Sequence, residues 1–266
     1  MKCFVCNGES WLPFYKNLVF CEGCGFVKAA DRFFKINPEK VYDKKYYTKG
    51  QYADYEKEKA SLAGNFSDRL AQIIKYKKGG KILDVGCAYG YFLLEAKRFF
   101  EIRGIDLDKN TTRKASLITG ADITTGNFLK HDFKREKFDV ITFFDSIEHL
   151  TDPKKAILKS ARMLKNGGIV AIETGDVESV LSKIEKEKWR LIDPGVHLNY
   201  FSRKTLNSLL VSCGFKVLAF SYVSFRRSIR QVMHRLLGKN LFIPFLSGLP
   251  LKVNTFDIMF VIAKKI

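Results

Sequence analysis

The chain has 266 residues, of which 46% are hydrophobic and 28% charged, and it carries a formal net charge of +18. This length can bury a sizeable core, so we expect one main domain with a small appendage. No run of 18 or more apolar residues occurs, which argues against a transmembrane helix. The N-terminus shows no apolar signal-peptide segment, so we expect a cytoplasmic protein with reduced thiols.

Four cysteines near the N-terminus form two pairs of the C-x2-C type. Cys3 and Cys6 are the first pair, Cys21 and Cys24 the second, and the 14 residues between the pairs allow a short hairpin. Four thiolates at this spacing predict a tetrahedral Zn²⁺ site. Because a closed four-sulfur site leaves no position for catalysis, we expect a structural, zinc-ribbon-like module over residues 1–37. Redox chemistry, or no metal at all, are the alternatives.

Residues 38–79 are rich in tyrosine in their first half and have a helical pattern in their second half. Two hypotheses fit the tyrosines: they form a lid over a bound ligand, or they pack the N-terminal module onto the domain that follows. The tyrosines concerned are Tyr42, Tyr46, Tyr47, Tyr52 and Tyr55.

The segment GKILDVGCAYGYF, residues 80–92, predicts a buried strand that leads into a ligand-binding turn. Gly86 and Gly90 permit a backbone geometry and a close ligand approach that a Cβ would obstruct. No Lys-Ser or Lys-Thr pair follows, which excludes a phosphate loop, and Ala88 and Tyr91 occupy the second and third glycine positions of the dinucleotide fingerprint. The next predicted strand ends in Asp106, whose carboxylate can accept both hydroxyls of a ribose.

Asp84, the glycine turn and Asp106 together resemble the cofactor site of class I S-adenosylmethionine-dependent methyltransferases. The resemblance covers roughly residues 60 to 265, although 224–252 match no motif. One matching segment, HLNYFSRKTLNSLLVSCGF, is similar to a subgroup that includes sugar and quinone-pathway methyltransferases. The other matching segments are FDVITFFDSIEHLTDP, LKNGGIVAIETGD and TFDIMFVIAKK, which resemble the family's fourth, fifth and seventh strands.

The fold class that follows is α/β. Alternating strand and helix signals after residue 80 predict an open, mainly parallel sheet with helices on both faces. The resemblance implies a Rossmann-like sheet of seven strands in which the last runs antiparallel and pairs with GFKVLAFSYV. We therefore expect a methyltransferase domain over 80–266 with an insertion at 224–252.

The resemblance also implies where the cofactor lies. The turn holds the methionine part, Asp106 the ribose, and Leu107 lies against the adenine. Asn127 stands where related enzymes have an acid, and its carbonyl oxygen can accept from the adenine amino group. In this subgroup the region before the first strand closes over the cofactor, which favours a lid role for Tyr46 or Tyr47. The expected cofactor contacts are Asp84, Gly86, Ala88, Gly90, Asp106, Leu107, Asn127, Phe128 and Asp145.

Methyl transfer requires a residue that takes a proton from the acceptor. Glu148 and His149 follow the fourth strand, where open α/β sheets bind ligands, and a histidine with a pKa near 6.5 can serve at neutral pH. Glu148 can instead orient the histidine or help to hold a divalent ion. His197 and its companion Tyr200 are further candidates for the same pocket. The alternative is that these four residues only cap or pack.

The segment from Arg226 to Lys252 contains six lysines or arginines and no acid. Apolar residues at helical spacing, such as Ile229 and Leu236, predict a basic amphipathic helix, followed by the apolar stretch LFIPFLSGLPL. One hypothesis makes this insertion a cover for the substrate pocket. The other makes 226–252 an anionic-membrane element that holds the enzyme at the inner face of the membrane, beside a lipid-linked acceptor.

These observations predict a methyltransferase that uses S-adenosylmethionine and structural Zn²⁺ and acts on a small hydroxylated acceptor, preferably a saccharide or its nucleotide- or lipid-linked form. The sequence does not distinguish O-, N- and C-methylation. RNA methylation is an alternative because of the positive charge, but no nucleic-acid motif supports it. A catalytically silent binding protein is the other alternative.

Overall fold

A computed structural model describes residues 1–36, 41, 59–228 and 250–266 of the chain. The predicted tyrosine lid, residues 42–55, and the predicted amphipathic helix, residues 229–237, lie outside the described residues. Both hypotheses for each segment therefore stay predictions. Within the described part of the chain, every helix is too short or too polar to cross a membrane.

The secondary structure begins with three short strands and then alternates between helices and strands. The strands are β1 Trp11–Pro13, β2 Leu18–Cys21, β3 Val27–Ala29, β4 Lys81–Val85, β5 Glu101–Asp106, β6 Ile123–Thr125, β7 Phe138–Phe144, β8 Leu164–Gly175, β9 Asn199–Tyr200, β10 Phe215–Tyr222, β11 Phe225–Ser228, β12 Pro250–Val253 and β13 Ile258–Lys265. The α-helices are α1 Lys59–Ile73, α2 Tyr91–Ala96, α3 Lys109–Thr119, α4 Pro153–Met163, α5 Val180–Glu185 and α6 Arg203–Ser212. Short 3-10 helices lie at Phe33–Lys35, Ile147–His149 and Lys186–Lys188.

The main sheet has seven strands in the order β10-β13-β8-β7-β4-β5-β6. The pairs from β8 to β6 are parallel, whereas β13 runs antiparallel to both β8 and β10. The predicted fold class is confirmed, including the antiparallel last strand and its pairing with GFKVLAFSYV.

Helices cover both faces of this sheet, and neighbouring residues of a strand therefore enter different cores. Leu83 and Ile141 lie in one buried cluster with residues of α4 and α6. Ile82 and Val140 lie in the other, with residues of α1 and α2. This double burial explains why β4 and β7 are apolar almost throughout instead of alternating with polar residues.

The carboxyl ends of the parallel strands meet at one edge of the sheet. β4 and β5 pair in register up to Val85 and Ile105, and β7 and β8 up to Phe144 and Glu173. The loops that follow these strands consequently lie side by side, in the arrangement that forms ligand sites in open α/β sheets.

The N-terminal module shares a sheet with the main domain. Its strands β1, β2 and β3 form an antiparallel sheet that is completed by β9, in the order β1-β2-β3-β9. Phe26 contacts Phe201, with ring centroids 5.4 Å apart, and Cys3 and Cys21 belong to the same buried cluster as residues of β7 and β8. The predicted module is therefore built into the core of the main domain.

The ends of the predicted insertion pair with each other. β11 and β12 form an antiparallel two-stranded sheet, with Arg226 opposite Lys252. The guanidinium of Arg226 donates to both carboxylate oxygens of Asp68 on α1, at 2.8 and 3.2 Å. The ion pair between Arg226 and Asp68 attaches this two-stranded sheet to α1.

Candidate functional site

The loop after β4 fits closely against the loop after β7. Gly86 and Gly90 both have left-handed backbone conformations, with φ of 79° and 76°. A Cβ on Gly86 would lie 2.7 Å from the Cβ of Ser146, and the hydroxyl of Ser146 donates to the carbonyl of Val85 at 2.6 Å. Glycine is thus required at position 86 by the backbone conformation and by the neighbouring loop.

Ala88 closes the glycine loop onto the end of β5. Its amide donates to Oδ2 of Asp106 at 2.9 Å, while Oδ1 of Asp106 accepts from the amide of Asp108 at 3.3 Å. Ala88 itself has a φ of 44°, a conformation that favours glycine. The carboxylate predicted to bind a ribose therefore also shapes the loop.

Asp84 is a buried carboxyl beneath this loop, with 3% of its surface exposed. Burial raises its pKa to about 7; the hydrogen bond from Thr142 opposes this rise, and the charge of Asp106 adds to it. The hydroxyl of Thr142 donates to Oδ1 of Asp84 at 2.6 Å. Asp84 is thus poised to ionise when a positive charge approaches.

The residues predicted to contact adenine lie in the turns after β5 and β6. Oδ1 of Asn127 accepts from the amide of Leu129 at 2.8 Å, which leaves one lone pair of that oxygen for another donor. Phe128 is buried and contacts Phe143, with ring centroids 5.7 Å apart. Leu107 is half-buried after β5. The adenine roles of these residues stay predictions.

Asp145, Glu148 and Glu173 form an acidic group at the ends of β7 and β8. The side chain of Asp145 is exposed, yet desolvation by the surrounding protein raises its pKa above the ordinary value, and the charges of Glu173 and Glu148 raise it further. Glu173 accepts from the Arg69 guanidinium at 2.7 and 3.2 Å, which offsets part of this repulsion.

Glu148, His149 and His197 come together at this edge, although His149 and Val196, which contacts its ring, are 47 positions apart in the sequence. One carboxylate oxygen of Glu148 and one ring nitrogen of each histidine lie within 4.8 Å of one another, and the two imidazole centroids are 4.8 Å apart. We call these three residues the acid–histidine cluster. The predicted catalytic residues His149, Glu148 and His197 thus share one place in the fold.

Backbone carbonyls orient both imidazoles. Nδ1 of His149 lies 3.0 Å from the carbonyl oxygen of Val196, and Nδ1 of His197 lies 2.7 Å from that of Leu191. Because a carbonyl only accepts, Nδ1 of His197 carries the hydrogen, and Nε2 is the basic nitrogen of that neutral ring. The ring of His149 bonds the backbone of Asp145 as well as that of Val196. Burial lowers the pKa of both histidines. Both rings are therefore neutral and basic at pH 7.

Glu148 and Tyr200 differ in their hydrogen bonds and in the charge that they can carry. Burial raises the pKa of Glu148, opposed by the charge of His197, and its Oε2 accepts from Thr174 at 2.9 Å. Tyr200 lies beside His197, with ring centroids 6.3 Å apart. Its hydroxyl accepts from the amide of Asp193 at 3.1 Å, and burial raises its pKa. This tyrosine therefore stays a neutral phenol.

Sequence reasoning missed several residues of this edge. Glu173 is a charged residue inside the apolar run of β8, and this misfit is a signal that could have identified it. Arg69 lies far from the motifs in sequence, and no local pattern distinguishes it from an ordinary surface residue. Asn199 lies inside the matching segment HLNYFSRKTLNSLLVSCGF, between His197 and Tyr200, but its residue type alone did not indicate a buried amide.

The four cysteines of the N-terminal module form a compact cluster. The Sγ atoms of Cys3 and Cys24 are 3.6 Å apart, those of Cys6 and Cys21 are 3.5 Å apart, and all four lie within 4.8 Å of one another. The amide of Gly8 donates to Sγ of Cys6 at 3.4 Å. The predicted cysteine cluster is thus present.

The left-handed conformation of Ala88 predicts that glycine stabilises the fold at this position. In the left-handed region the Cβ of alanine costs the folded state about 1–2 kcal/mol. Glycine avoids that cost, but the larger conformational entropy of its unfolded chain lowers the free energy of unfolding by about 0.5–1 kcal/mol. We expect Ala88→Gly to raise the free energy of unfolding by up to about 1 kcal/mol, measured by urea denaturation. Ala161→Gly, within α4, is the control and is expected to cost about 1 kcal/mol. Equal losses in both variants would contradict the prediction.

Comparison with known proteins identifies the family. A family model described as "Methyltransferase domain" matches residues 55–219. The ubiquinone biosynthesis O-methyltransferase of Alkalilimnicola ehrlichii is 35% identical over 117 residues, which are 40% of this chain and 46% of that protein. An uncharacterised protein of Methanocaldococcus jannaschii is 29% identical over 151 residues, 57% of this chain and 72% of that protein. The chain spans about half the length of the ubiquinone-biosynthesis relatives that it matches.

Solved structures share the fold. A Thermotoga maritima S-adenosylmethionine-dependent methyltransferase, described as a possible histamine N-methyltransferase, superposes with a TM-score of 0.55 at 19% identity and covers 80% of this chain and 96% of that one. A chain of the complex between the Haloferax volcanii Trm112 methyltransferase activator and a methyltransferase has a TM-score of 0.64 at 16% identity, covering 85% and 99%. Since the family model spans more than half of its residues, the chain belongs to the methyltransferase domain family.

Proposed function

We propose that the protein transfers the methyl group of S-adenosylmethionine to a small hydroxylated acceptor. The observation that carries this proposal is that two neutral, oriented histidines and a glutamate lie at the same edge of the sheet as the glycine loop. The family match and the relatives named as O-methyltransferases support it.

The residues of the glycine loop fit the cofactor. Gly86 and Gly90 carry no side chain and have left-handed backbone conformations, and the buried Asp84 and Asp106 provide negative charge beside the loop. S-adenosylmethionine carries a positive sulfonium, and it supplies a methyl group that is already activated for transfer. Asp84, the loop from Gly86 to Gly90 and Asp106 would hold this molecule.

The acid–histidine cluster supplies proton transfer. Nε2 of His197 accepts the proton of the acceptor hydroxyl, while its Nδ1 hydrogen stays bound to the carbonyl of Leu191, and His149 lies beside it with ring centroids 4.8 Å apart. The resulting imidazolium is stabilised by the nearby Glu148. The charge of Glu148 thereby favours the charged form of His197.

The acidic side chains at this edge of the sheet limit the charge that the reacting end of the acceptor can carry. Asp145, Glu148 and Glu173 repel a phosphate, so the reacting end of the acceptor is an uncharged hydroxyl. A saccharide remains our narrower hypothesis, and a phosphate of a nucleotide- or lipid-linked form would have to lie away from these acids. The O-methyltransferase relatives favour oxygen as the methylated atom.

We further infer that the cysteine cluster holds a structural Zn²⁺ ion. Four sulfurs at about 2.3 Å from one ion lie about 3.8 Å from each other, and the distances of 3.5 and 3.6 Å approach this value. Cys3, Cys6, Cys21 and Cys24 would hold the ion as four thiolate ligands. This site would stabilise a module whose own strands are very short.

Cofactor binding is the first prediction of this proposal. Isothermal titration calorimetry should show micromolar binding of S-adenosylmethionine and S-adenosylhomocysteine, weakened at least about tenfold in Asp106→Ala through the loss of charged hydrogen bonds. Asp122→Ala, at an exposed position, is the control. A positive ligand lowers the pKa of Asp84 from about 7, so binding of S-adenosylmethionine at pH 6.5 should release protons, and less at pH 8.5.

Two results would count against the cofactor assignment. One is wild-type protein that binds neither compound. The other is an equal affinity in Asp106→Ala and Asp122→Ala.

The histidines give a second prediction, for activity. We expect His149→Gln or His197→Gln to lower kcat by about 10²–10⁴ with little change in S-adenosylhomocysteine affinity, whereas His131→Gln should behave like the wild type. Because the pKa of each cluster histidine is lowered, activity should persist down to about pH 6.5 and fall only below it. Methyl transfer to a panel of phenols, sugars and nucleotide sugars measures this, and unaltered kcat in both glutamine variants would refute the role.

Metal content tests the cysteine cluster. Elemental analysis of the purified protein should find about one zinc per chain, and Cys24→Ser should remove it and lower the thermal midpoint because a closed four-sulfur site needs every ligand. Cys213→Ser lies outside the cluster and should retain the metal. Zinc retained in full by Cys24→Ser would disprove the site.

A further inference from the structure

The strand β9 belongs to two parts of the protein at once. On one side it pairs with β3 of the cysteine module, where Val27 faces Tyr200 and Lys28 faces Asn199. The amide of Ala29 continues this pairing and donates to the carbonyl of Leu198 at 2.9 Å. The module thus holds the backbone that directly follows His197.

On its other side, β9 and the residue before it hold the 3-10 helix of the acid–histidine cluster. The amide of Leu198 donates to the carbonyl of Glu148 at 2.9 Å. The side-chain amide of Asn199 donates to the same carbonyl at 3.2 Å and to the carbonyl of Leu150 at 2.7 Å. Asn199 therefore joins both ends of the segment that carries Glu148 and His149.

Asn199 makes these bonds in a buried position. Only 1% of its surface is exposed, and its Oδ1 meets no hydrogen-bond partner among the described residues. Burial of an amide with one group unsatisfied costs stability. An apolar residue would avoid that cost, so the amide is retained for what its two donated bonds hold in place.

The geometry of the acid–histidine cluster depends on those bonds. His149 belongs to a 3-10 helix of three residues, which has few internal hydrogen bonds. His197 belongs to the loop whose carbonyls, from Leu191 and Val196, orient the two imidazoles. Leu198 and Asn199 connect the helix to this loop, and they therefore set the distance between the two imidazoles.

We propose that Asn199 is the positioning residue through which the cysteine module holds the two histidines of the acid–histidine cluster in their working geometry. This inference rests on the proposed function for its catalytic consequence only. The module supports the active site from behind, because its strand β3 pairs with β9 and β9 holds the histidine pair. The glycine loop and Asp106 lie on other strands and do not depend on Asn199.

The test compares Asn199→Asp with Asn207→Asp in the full chain. Asn199→Asp keeps the side-chain shape but removes the donating amide, and Asn207 is an exposed residue of α6 that controls for the added charge. Histidine Cε1–H signals of selectively labelled protein report the geometry, because each ring of the pair lies in the ring current of the other at 4.8 Å. The two tryptophan indole N–H signals report whether the fold is intact, since Trp11 lies in the module and Trp189 in the main domain.

We expect Asn199→Asp to move the signals of His149 and His197 while His131 and both indole signals stay in place. S-adenosylhomocysteine affinity should stay within about twofold, and kcat should fall by about tenfold or more, because small misplacements of reacting groups are costly. If Asn199→Asp shifts the indole signals as well, Asn199→Ser, which keeps one donor, carries the same comparison.

Wild-type positions of both histidine signals in Asn199→Asp, or shifts equal to those in Asn207→Asp, would overturn the proposal. Shifts of the cluster signals with unchanged kcat would overturn it as well. Failure of the wild type to bind S-adenosylhomocysteine would instead refute the proposed function, and the histidine spectra would still decide whether Asn199 positions the pair.

Discussion

The concentration of carboxylates at one edge of the sheet is the constraint on which the rest of the site depends. Asp84, Asp106, Asp145, Glu148 and Glu173 lie there, in a protein whose net charge is +18. Desolvated like charges repel each other, so each needs a compensating group or a raised pKa. The partners observed are hydroxyls and backbone amides together with the Arg69 guanidinium. A cationic cofactor would relieve the repulsion that remains.

This acidic edge contrasts with the basic surface of the protein. The excess of lysine and arginine suits anionic partners, whereas under the proposed function the site takes a cationic cofactor and an uncharged acceptor. A basic exterior with an acidic interior can attract a molecule that carries phosphate at one end and a neutral reacting group at the other. Such a molecule would place its phosphate outside the site and its hydroxyl inside it.

The strand β9 connects the cysteine module to the main domain. As a separate appendage the module would only fold by itself and contribute nothing to chemistry. In the structure it provides three of the four strands of a sheet whose last strand follows His197, and Phe26 packs on Phe201 behind that strand. A metal in the module would therefore stabilise the acceptor side of the active site as well as the module. Under the proposed function, this shared sheet would connect the cysteine module to the residues that carry out the chemistry.

Local sequence determined the strands, the glycine loop, the cysteine pairs and the acid–histidine residues, because apolar runs, left-handed turns and ligand spacing are properties of short segments. The left-handed turn at Gly86 and the C-x2-C pairs are examples, since a turn and a ligand spacing each involve residues that are neighbours in the chain. Only the tertiary structure decided that Ala88 adopts a strained turn against Asp106 and that β9 joins two modules. Those outcomes depend on pairing between distant segments. Hydrogen bonds between residues far apart in the chain produce no periodic pattern in the amino-acid sequence.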